Sequence, residues 1–309
     1  RLIPAISSAF QEARRHFPGL AQDLSLLDLA APPLRRSIGF CTTCKNRLWQ
    51  LRVALPINLL YAWPFRLSVT LHIVDFGSDG EDTLDFLLRT CRVALDAGLL
   101  RVYRVEPRDG ARLFHASIAK NTAHAVADEE ILVNVDADNI CGPGFIEDVT
   151  RRFERGVEAL HYNTEHVTGT CGRVVLLQKD FLFLGGYDQE AHPMGAQDID
   201  LYLRAGMLAA QRRPRGSREG WRPARETVKD MSLMSIAIPN SLKQKVEHCA
   251  SQLSWAQMNE SNWANFLEKR ERQEIIRNRN VQYLGCPVKR IYFVQGDQTV
   301  YMVERFIRP

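Results

Sequence analysis

The stretch EEILVNVDADNICGPGF, Glu129 to Phe145, decides the fold. A run of strand-formers from Ile131 to Val135 ends in two aspartates, Asp136 and Asp138, and then in the turn Gly142-Pro143-Gly144. A buried strand does not tolerate unpaired carboxylates, so the two acids mark its end and require a cation. That cation is either a bound metal or a neighbouring arginine.

Working outward from this strand, the N-terminal side alternates regularly. HASIAKNTAHAVAD has helical spacing and LLRVYRVE reads as a strand. DTLDFLLRTCRVALDAG reads as one helix, capped by Asp82 and stopped by Gly98. RLSVTLHIVDFGSDGED is a strand ending at Asp75 in a Gly/Ser/Asp turn. RLWQLRVALPINLLYAW is a helix in which Pro56 predicts a kink or break. RRSIGFCTTCKN is a short strand running into a polar loop, preceded by an amphipathic helix around ISSAFQEARRHF. Alternating strands and helices predict an α/β fold with a parallel sheet, and ligands at the carboxyl ends of its strands.

The C-terminal side is more mixed. GPGFIEDVTRRFERG is helical, EALHYN and CGRVVLLQ are strands, KDFLFLGGYD is a short helix ending in Gly-Gly, and AQDIDLYLRAGML is a helix. QRRPRGSREGWRPARE reads as a basic surface loop. The segment from Ser241 to Asn278 reads as helical, in one or two pieces, and VKRIYFVQGDQTVYMVERF as a terminal β-hairpin. No linker stands out. The chain is therefore read as one unit: a helical lead-in over 1–35, a ligand-binding half over 36–145, a second half over 146–208, and a basic loop, helices and hairpin over 209–309.

Composition narrows the class. The chain has 309 residues, 45% apolar and 25% charged, with a net charge of +4. That balance is ordinary for a globular protein and too mild for a dedicated nucleic-acid binder. No run approaches the ~20 apolar residues of a membrane span. Seven cysteines, an odd and scattered set, read as free core thiols, with one or two disulfides still compatible. Cys41 and Cys44 form a lone C-x-x-C with no second pair to complete a zinc site. The chain begins with Arg1, which reads as a fragment or processed form. The expected compartment is therefore left open between a secretory or Golgi lumen, if an anchor was removed, and the cytoplasm.

Four stretches carry chemistry. Asp136 and Asp138, at a strand's carboxyl end, can share one hard divalent cation, Mn²⁺ or Mg²⁺, which would hold a diphosphate; the plain alternative is an Asx-type turn with solvated acids. Asp75 at another strand end can accept from a nucleobase or ribose, or simply shape a turn. Lys45 and Arg47 follow a third strand and can meet phosphate. Gln197, Asp198 and Asp200 open a helix, where acids are stabilised by the helix dipole; Asp198 can instead serve as a general base.

Taken in order, these stretches resemble the metal-dependent glycosyltransferases of the GT-A fold. By motif order they are most similar to the β-1,4-galactosyltransferase type and its relatives, the N-acetylgalactosaminyltransferases and chondroitin-type polymerases. The resemblance covers roughly residues 36 to 208. FCTTCKNRLWQL looks like the family's early F-x-N-R segment, with Lys45, Asn46 and Arg47 its counterparts. Asp75 is similar to the family's uracil-side acid. Lys120 and Asn121 match its Ala-Lys-x-x-Asn or Ala-Arg-Asn helix, and Asp136 and Asp138 its D-x-D. GAQDIDLYLR looks like its Gly-Gly-Glu-Asp-x-Asp motif, with Ala196 in place of the second glycine, Gln197 in place of the glutamate, and Asp198 at the catalytic base.

The resemblance implies a Rossmann-like GT-A fold with a mixed, mainly parallel sheet flanked by helices. It implies transfer of a sugar from a nucleotide donor, a UDP-sugar by family habit, to a glycan, glycoprotein or other hydroxyl acceptor, with inversion. Lys45, Arg47, Asp75, Lys120, Asn121 and Asp136 would bind the donor. Asp136, Asp138 and a downstream histidine, His248, would bind Mn²⁺ or Mg²⁺. Two rival readings are a nucleotidyltransferase, whose Gly-rich signature is absent from CTTCKNR, and a degenerate transferase domain that binds sugar or protein without turnover.

Overall fold

A computed structural model describes residues 2–15, 20, 22–80, 82–105, 113–163, 172–212, 225–236, 249, 251–281, 284–291 and 300–301. Its centre is a mixed sheet. Strands β1 (Ile38–Cys44), β2 (Val69–Asp75), β3 (Leu100–Val105) and β4 (Ile131–Asn134) form the parallel heart, in the order β3-β2-β1-β4. The register sets Ile38 beside both Val69 and Ile131, and Leu71 beside Leu100. Beyond β4, strand β7 (Arg173–Leu177) runs antiparallel to β4 and to β6 (Ala159–Tyr162), and β8 (Arg225–Val228) lies parallel to β6. At the other edge β10 (Val288–Ile291) runs antiparallel to β3 and to β11 (Val300–Tyr301), which is the expected hairpin pairing. Among the described residues, β5 (Asn139–Cys141) and β9 (Met234–Ile236) form a separate two-stranded pair.

The strand sequences explain this arrangement. β1, IGFCTTC, and β2, VTLHIVD, are buried almost throughout, as expected where helices cover both faces. Period-two alternation sorts the two cores. Phe40, Ile73, Ile131 and Val133 face one hydrophobic cluster, while Cys41, Val74 and Leu132 face the other. The first face carries α1 (Leu2–Arg14), α2 (Leu48–Ala62), α3 (Asp82–Asp85), α4 (Arg92–Asp96) and α6 (Phe145–Glu154). The second carries α5 (Ala116–Ala125), α7 (Gln178–Phe183) and α8 (Gln197–Gln211). A last helix, α9 (Trp255–Glu271), opens with a capping box in which Ser254 and Gln257 bond reciprocally.

Several local expectations are corrected. Pro56 breaks nothing: α2 is continuous through it. The helix is buried along most of its length, so packing against α1 and the sheet outweighs the lost backbone hydrogen bond. Asn58 ties it further, donating to Asn139 O at 2.9 Å and accepting from Cys141 N at 2.8 Å. The stretch from Asp82 to Asp96 is not one α-helix, because Phe86–Thr90 winds as a π-helical segment between α3 and α4. β5, β8 and β9 carried no clear sequence signal. The helix expected to span Ser241 to Asn278 is α9 alone among the described residues, and Cys249 instead makes a bridge to Phe114. The basic loop lies mostly outside the described residues. Among the described residues no cysteine (41, 44, 91, 141, 249 or 286) is in a disulfide, and burial pushes the thiols of Cys44, Cys91 and Cys141 up to about 12. No helix among the described residues is long and apolar enough to cross a membrane.

Candidate functional site

The carboxyl ends of β2, β1 and β4 lie side by side, which brings Asp75, Lys45 and Asp136 to one edge. Two loops there are clasped together. Asn46, in the left-handed region at φ 51°, donates to Asp79 Oδ2 at 2.8 Å and accepts from Asp79 N at 2.7 Å. Ser78 N donates to Asp75 Oδ1 at 3.0 Å, and Asn46 N donates to Ser78 Oγ at 2.9 Å. Lys45 is buried and donates to Gly77 O at 2.7 Å and Phe76 O at 3.3 Å. Its ammonium therefore braces the loop after β2. Arg47 is half-buried at the start of α2 and donates to Asn46 O. Asp75 is buried; its Oδ2 accepts no hydrogen bond and lies 4.0 Å from Arg104 Nε.

The second part of the site forms around Lys120. This side chain, on α5, is 7% exposed. Its ammonium donates to Asp198 Oδ1 at 2.6 Å and lies 3.3 Å from Asp136 Oδ1. It also sits 5.5 Å from the centre of the Tyr187 ring. Burial alone would lower the lysine's pKa, but Asp136 and Asp198 outweigh it and drive the value well up, so the ammonium stays charged. Asp136 begins the turn after β4, where Asn134 Nδ2 donates to its Oδ1 at 3.2 Å and to Gly172 O at 2.6 Å. A methyl on Gly172 would lie 2.3 Å from Asp136 Oδ2, so a larger residue there would displace that carboxylate. Asp138 is buried and accepts from Asn139 Nδ2 at 2.7 Å. Arg173, fully buried, feels the charges of both Asp136 and Asp138.

Asp198 stands in the first turn of α8. Its helix begins after Ala196, whose φ of 59° lies in the left-handed region that favours glycine. The conformation matches the glycine that the sequence resemblance expects there, although alanine occupies it. Asp200, two residues on, is committed elsewhere. It pairs with Arg204 at 2.7 Å and Arg277 at 3.0 Å, and is buried. Asn121 is also buried. Its amide donates to Tyr187 O and Gln189 Oε1 and accepts from Tyr187 N, all at 2.8–2.9 Å, so it tethers the turn after α7. Gly186 permits that approach, because a Cβ there would sit 2.4 Å from Asn121 Oδ1. His248, the expected histidine ligand, lies outside the described residues.

The structure thus brings Lys120, Asp136 and Asp198 together, leaves Asp138 buried two residues beyond Asp136 with Asn139 as a partner, and places Asn121 in a hydrogen-bond network. Sequence reasoning missed Asn134, whose signal was a polar residue inside an apolar strand. It also missed Asn262 on α9, which no pattern announced. Asn262 accepts from His192 N at 2.8 Å and donates to the carbonyls of His192, Met194 and Gly195 at 2.9–3.1 Å. It thereby fixes the loop that leads into Asp198.

Among the described residues no group of three or more His, Cys, Asp or Glu side chains forms a metal cage. The donor set at Asp136 and Asp138 is two hard carboxylates. That suits a small divalent ion that takes its remaining ligands from water and substrate phosphates.

No family model matches the chain, and no curated protein matches it either. Solved structures do. The mannosyltransferase PcManGT from Pyrobaculum calidifontis, solved with GDP-Man and Mn²⁺, aligns over 88% of this chain and 75% of its own, with 16% identity and a TM-score of 0.55. S. aureus TarS 1–349 in complex with UDP aligns over 76% of this chain and 71% of its own, with 14% identity and a TM-score of 0.49. The same fragment with UDP-GlcNAc aligns over 55% and 52%, with a TM-score of 0.43. At such identities the PcManGT likeness is one of fold.

Proposed function

We propose that this protein is a glycosyltransferase that moves a sugar from a nucleoside-diphosphate donor to a hydroxyl acceptor. The observation that carries the reading is the juxtaposition at one sheet edge. Asp75, Lys45 and Asp136 follow the ends of adjacent parallel strands, and Asp198 from a distant helix is hydrogen-bonded to Lys120, whose ammonium also reaches Asp136. The fold shared with PcManGT, a mannosyltransferase solved with a nucleotide sugar, supports it.

In this reading the base and ribose lie along the clasped loops of Asn46 and Ser78, near Asp75. Asp136 and Asp138 would hold a Mn²⁺ or Mg²⁺ ion that, when bound, neutralises charge on the departing diphosphate. Asp198 takes the proton of the acceptor hydroxyl as that oxygen attacks the anomeric carbon from the face opposite the diphosphate. The bond to the diphosphate breaks, and its electron pair leaves with the nucleoside diphosphate. Inversion, the UDP preference and the hexosyl class are parts of the proposal, carried by the motif resemblance.

The test is a thermal-shift screen of UDP- and GDP-sugars with and without Mn²⁺, followed by donor hydrolysis. Metal-dependent stabilisation by one donor, with slow hydrolysis, supports a transferase. Stabilisation by free sugars alone, with no hydrolysis, supports a binding domain without turnover. No response to any nucleotide sugar sinks the proposal.

A further inference from the structure

Lys120 does more in this structure than a phosphate-binding lysine would. Its ammonium bonds two carboxylates from elements far apart in the chain, Asp136 after β4 and Asp198 in α8, at 3.3 and 2.6 Å. Its helix is fixed, because Ala119 and Ala123 pack into the core on either side of it. One turn further on, His124 is buried, stacks on Phe181 with ring centres 4.6 Å apart, and bonds Lys120 O at 2.7 Å. The ammonium therefore sits at a set point. The two carboxylates, both only partly buried, converge on this one ammonium and would repel one another without it. A carboxylate anchored through one oxygen presents its other oxygen in a fixed direction.

We infer that Lys120 is a positioning residue: it aims the Asp198 carboxylate and ties it to the donor-side acid Asp136. The base and the donor seat then hold one geometry. This rests on the proposed reading of Asp198 as the base and of this sheet edge as the donor seat. Under it, the lysine contributes to the chemical step more than to nucleotide affinity.

Four variants test it: Lys120→Met, Lys120→Arg, Asp198→Asn, and Lys120→Met combined with Asp198→Asn. Three readouts apply. The first is calorimetric binding of UDP and GDP with Mn²⁺. The second is kcat and KM for hydrolysis of UDP-GlcNAc and GDP-Man. The third is the melting temperature. Lys120→Met is expected to lower kcat by the ~10²-fold that misplacement of a reacting group costs, with nucleotide affinity within about threefold of the parent. Lys120→Arg recovers part of kcat. In the Asp198→Asn background, Lys120→Met causes no further loss of kcat, because both act through one group. Independently of activity, the double variant melts above Lys120→Met alone, since the asparagine removes a repelling charge.

Multiplying losses of kcat would overturn the inference. So would a collapse of nucleotide affinity with kcat retained, which would make Lys120 a phosphate ligand. A change in melting temperature alone would reduce it to a structural ion pair. A parent that neither binds UDP or GDP nor hydrolyses either donor overturns the proposed function and this inference with it. Failure of the function therefore shows in the parent, and failure of the inference shows only in the variants.

Discussion

At the residue scale, the site depends on a few side chains whose surroundings differ sharply. Asp198 and Asp200 stand two residues apart in one helix, yet Asp198 meets Lys120 beside Asp136 while Asp200 is buried between two arginines. Asp198→Asn is expected to lower transfer or donor hydrolysis by at least ~10²-fold while nucleotide binding and melting temperature hold. Asp200→Asn is expected to do the reverse and cost about 3 kcal/mol of stability, because it removes the carboxylate that buried Arg204 and Arg277 share, leaving Arg204 only backbone carbonyls and Arg277 only Asp188 as its carboxylate partner. Denaturant unfolding beside kinetics on both variants separates them; equal behaviour would reject the division of roles. Gly172→Ala gives a third residue-level test. Its methyl would fall 2.3 Å from Asp136 Oδ2, so the carboxylate must move. Metal-dependent nucleotide affinity should drop at least tenfold, and an unchanged Kd by calorimetry would remove Asp136 from the donor seat.

At the scale of elements, two helices hold the site from behind. α5 is buried along its length and carries both Lys120 and His124. Burial pushes His124 down to about 3, so it stays neutral in the folded state, whereas in the unfolded chain it titrates near the usual 6.5. The unfolded state therefore takes up the proton first as pH falls. The stability is fully present above 6.5 and is lost progressively down to about 3. The melting temperature of the parent should fall more steeply from pH 7 to pH 4 than that of His124→Phe, which keeps a flat ring but cannot titrate. Parallel curves would show that His124 is not the titrating group. α9 acts through Asn262, which holds three carbonyls of the loop before Asp198. Asn262→Ala should loosen that loop, raise KM for the acceptor and leave nucleotide affinity alone; an unchanged acceptor KM would confine Asn262 to stability.

At the scale of the whole molecule, the segment from Trp255 onward is stitched into the sheet and the site. Arg277 pairs with Asp200 and Asp188, Lys269 pairs with Asp188 at 2.7 Å, and β10 extends the sheet beside β3. A chain cut after Ser254 loses Asn262, Lys269, Arg277 and β10 together. Its melting should become non-cooperative or vanish, measured by calorimetry. A sharp transition near the parent's would show that residues 1–254 fold without that segment.

The sequence by itself determined the four parallel strands, because their apolar runs and intervening helical periods are local patterns. It also determined where their acids fall, since a carboxylate that a strand cannot bury must stand at its end. The C-terminal hairpin and the helices around α5, α6 and α8 were legible for the same reason. What only the tertiary structure decided was who meets whom. Arg204, one turn beyond Asp200, is a local partner that Asp198 lacks, but only the tertiary structure brings Arg277 onto Asp200 and Lys120 onto Asp198. Nothing local told that the cation beside Asp136 includes Lys120, since the strand and the helix are brought together only by the sheet. That Asn121, expected beside the donor, tethers the chain beyond α7 was also decided there, because the Gly185-Gly186 turn closes onto its amide. The continuous α2 and the π-helical break after α3 were likewise decided from outside. Packing on two sides can outweigh a proline's missing hydrogen bond, and no propensity scale contains that contact.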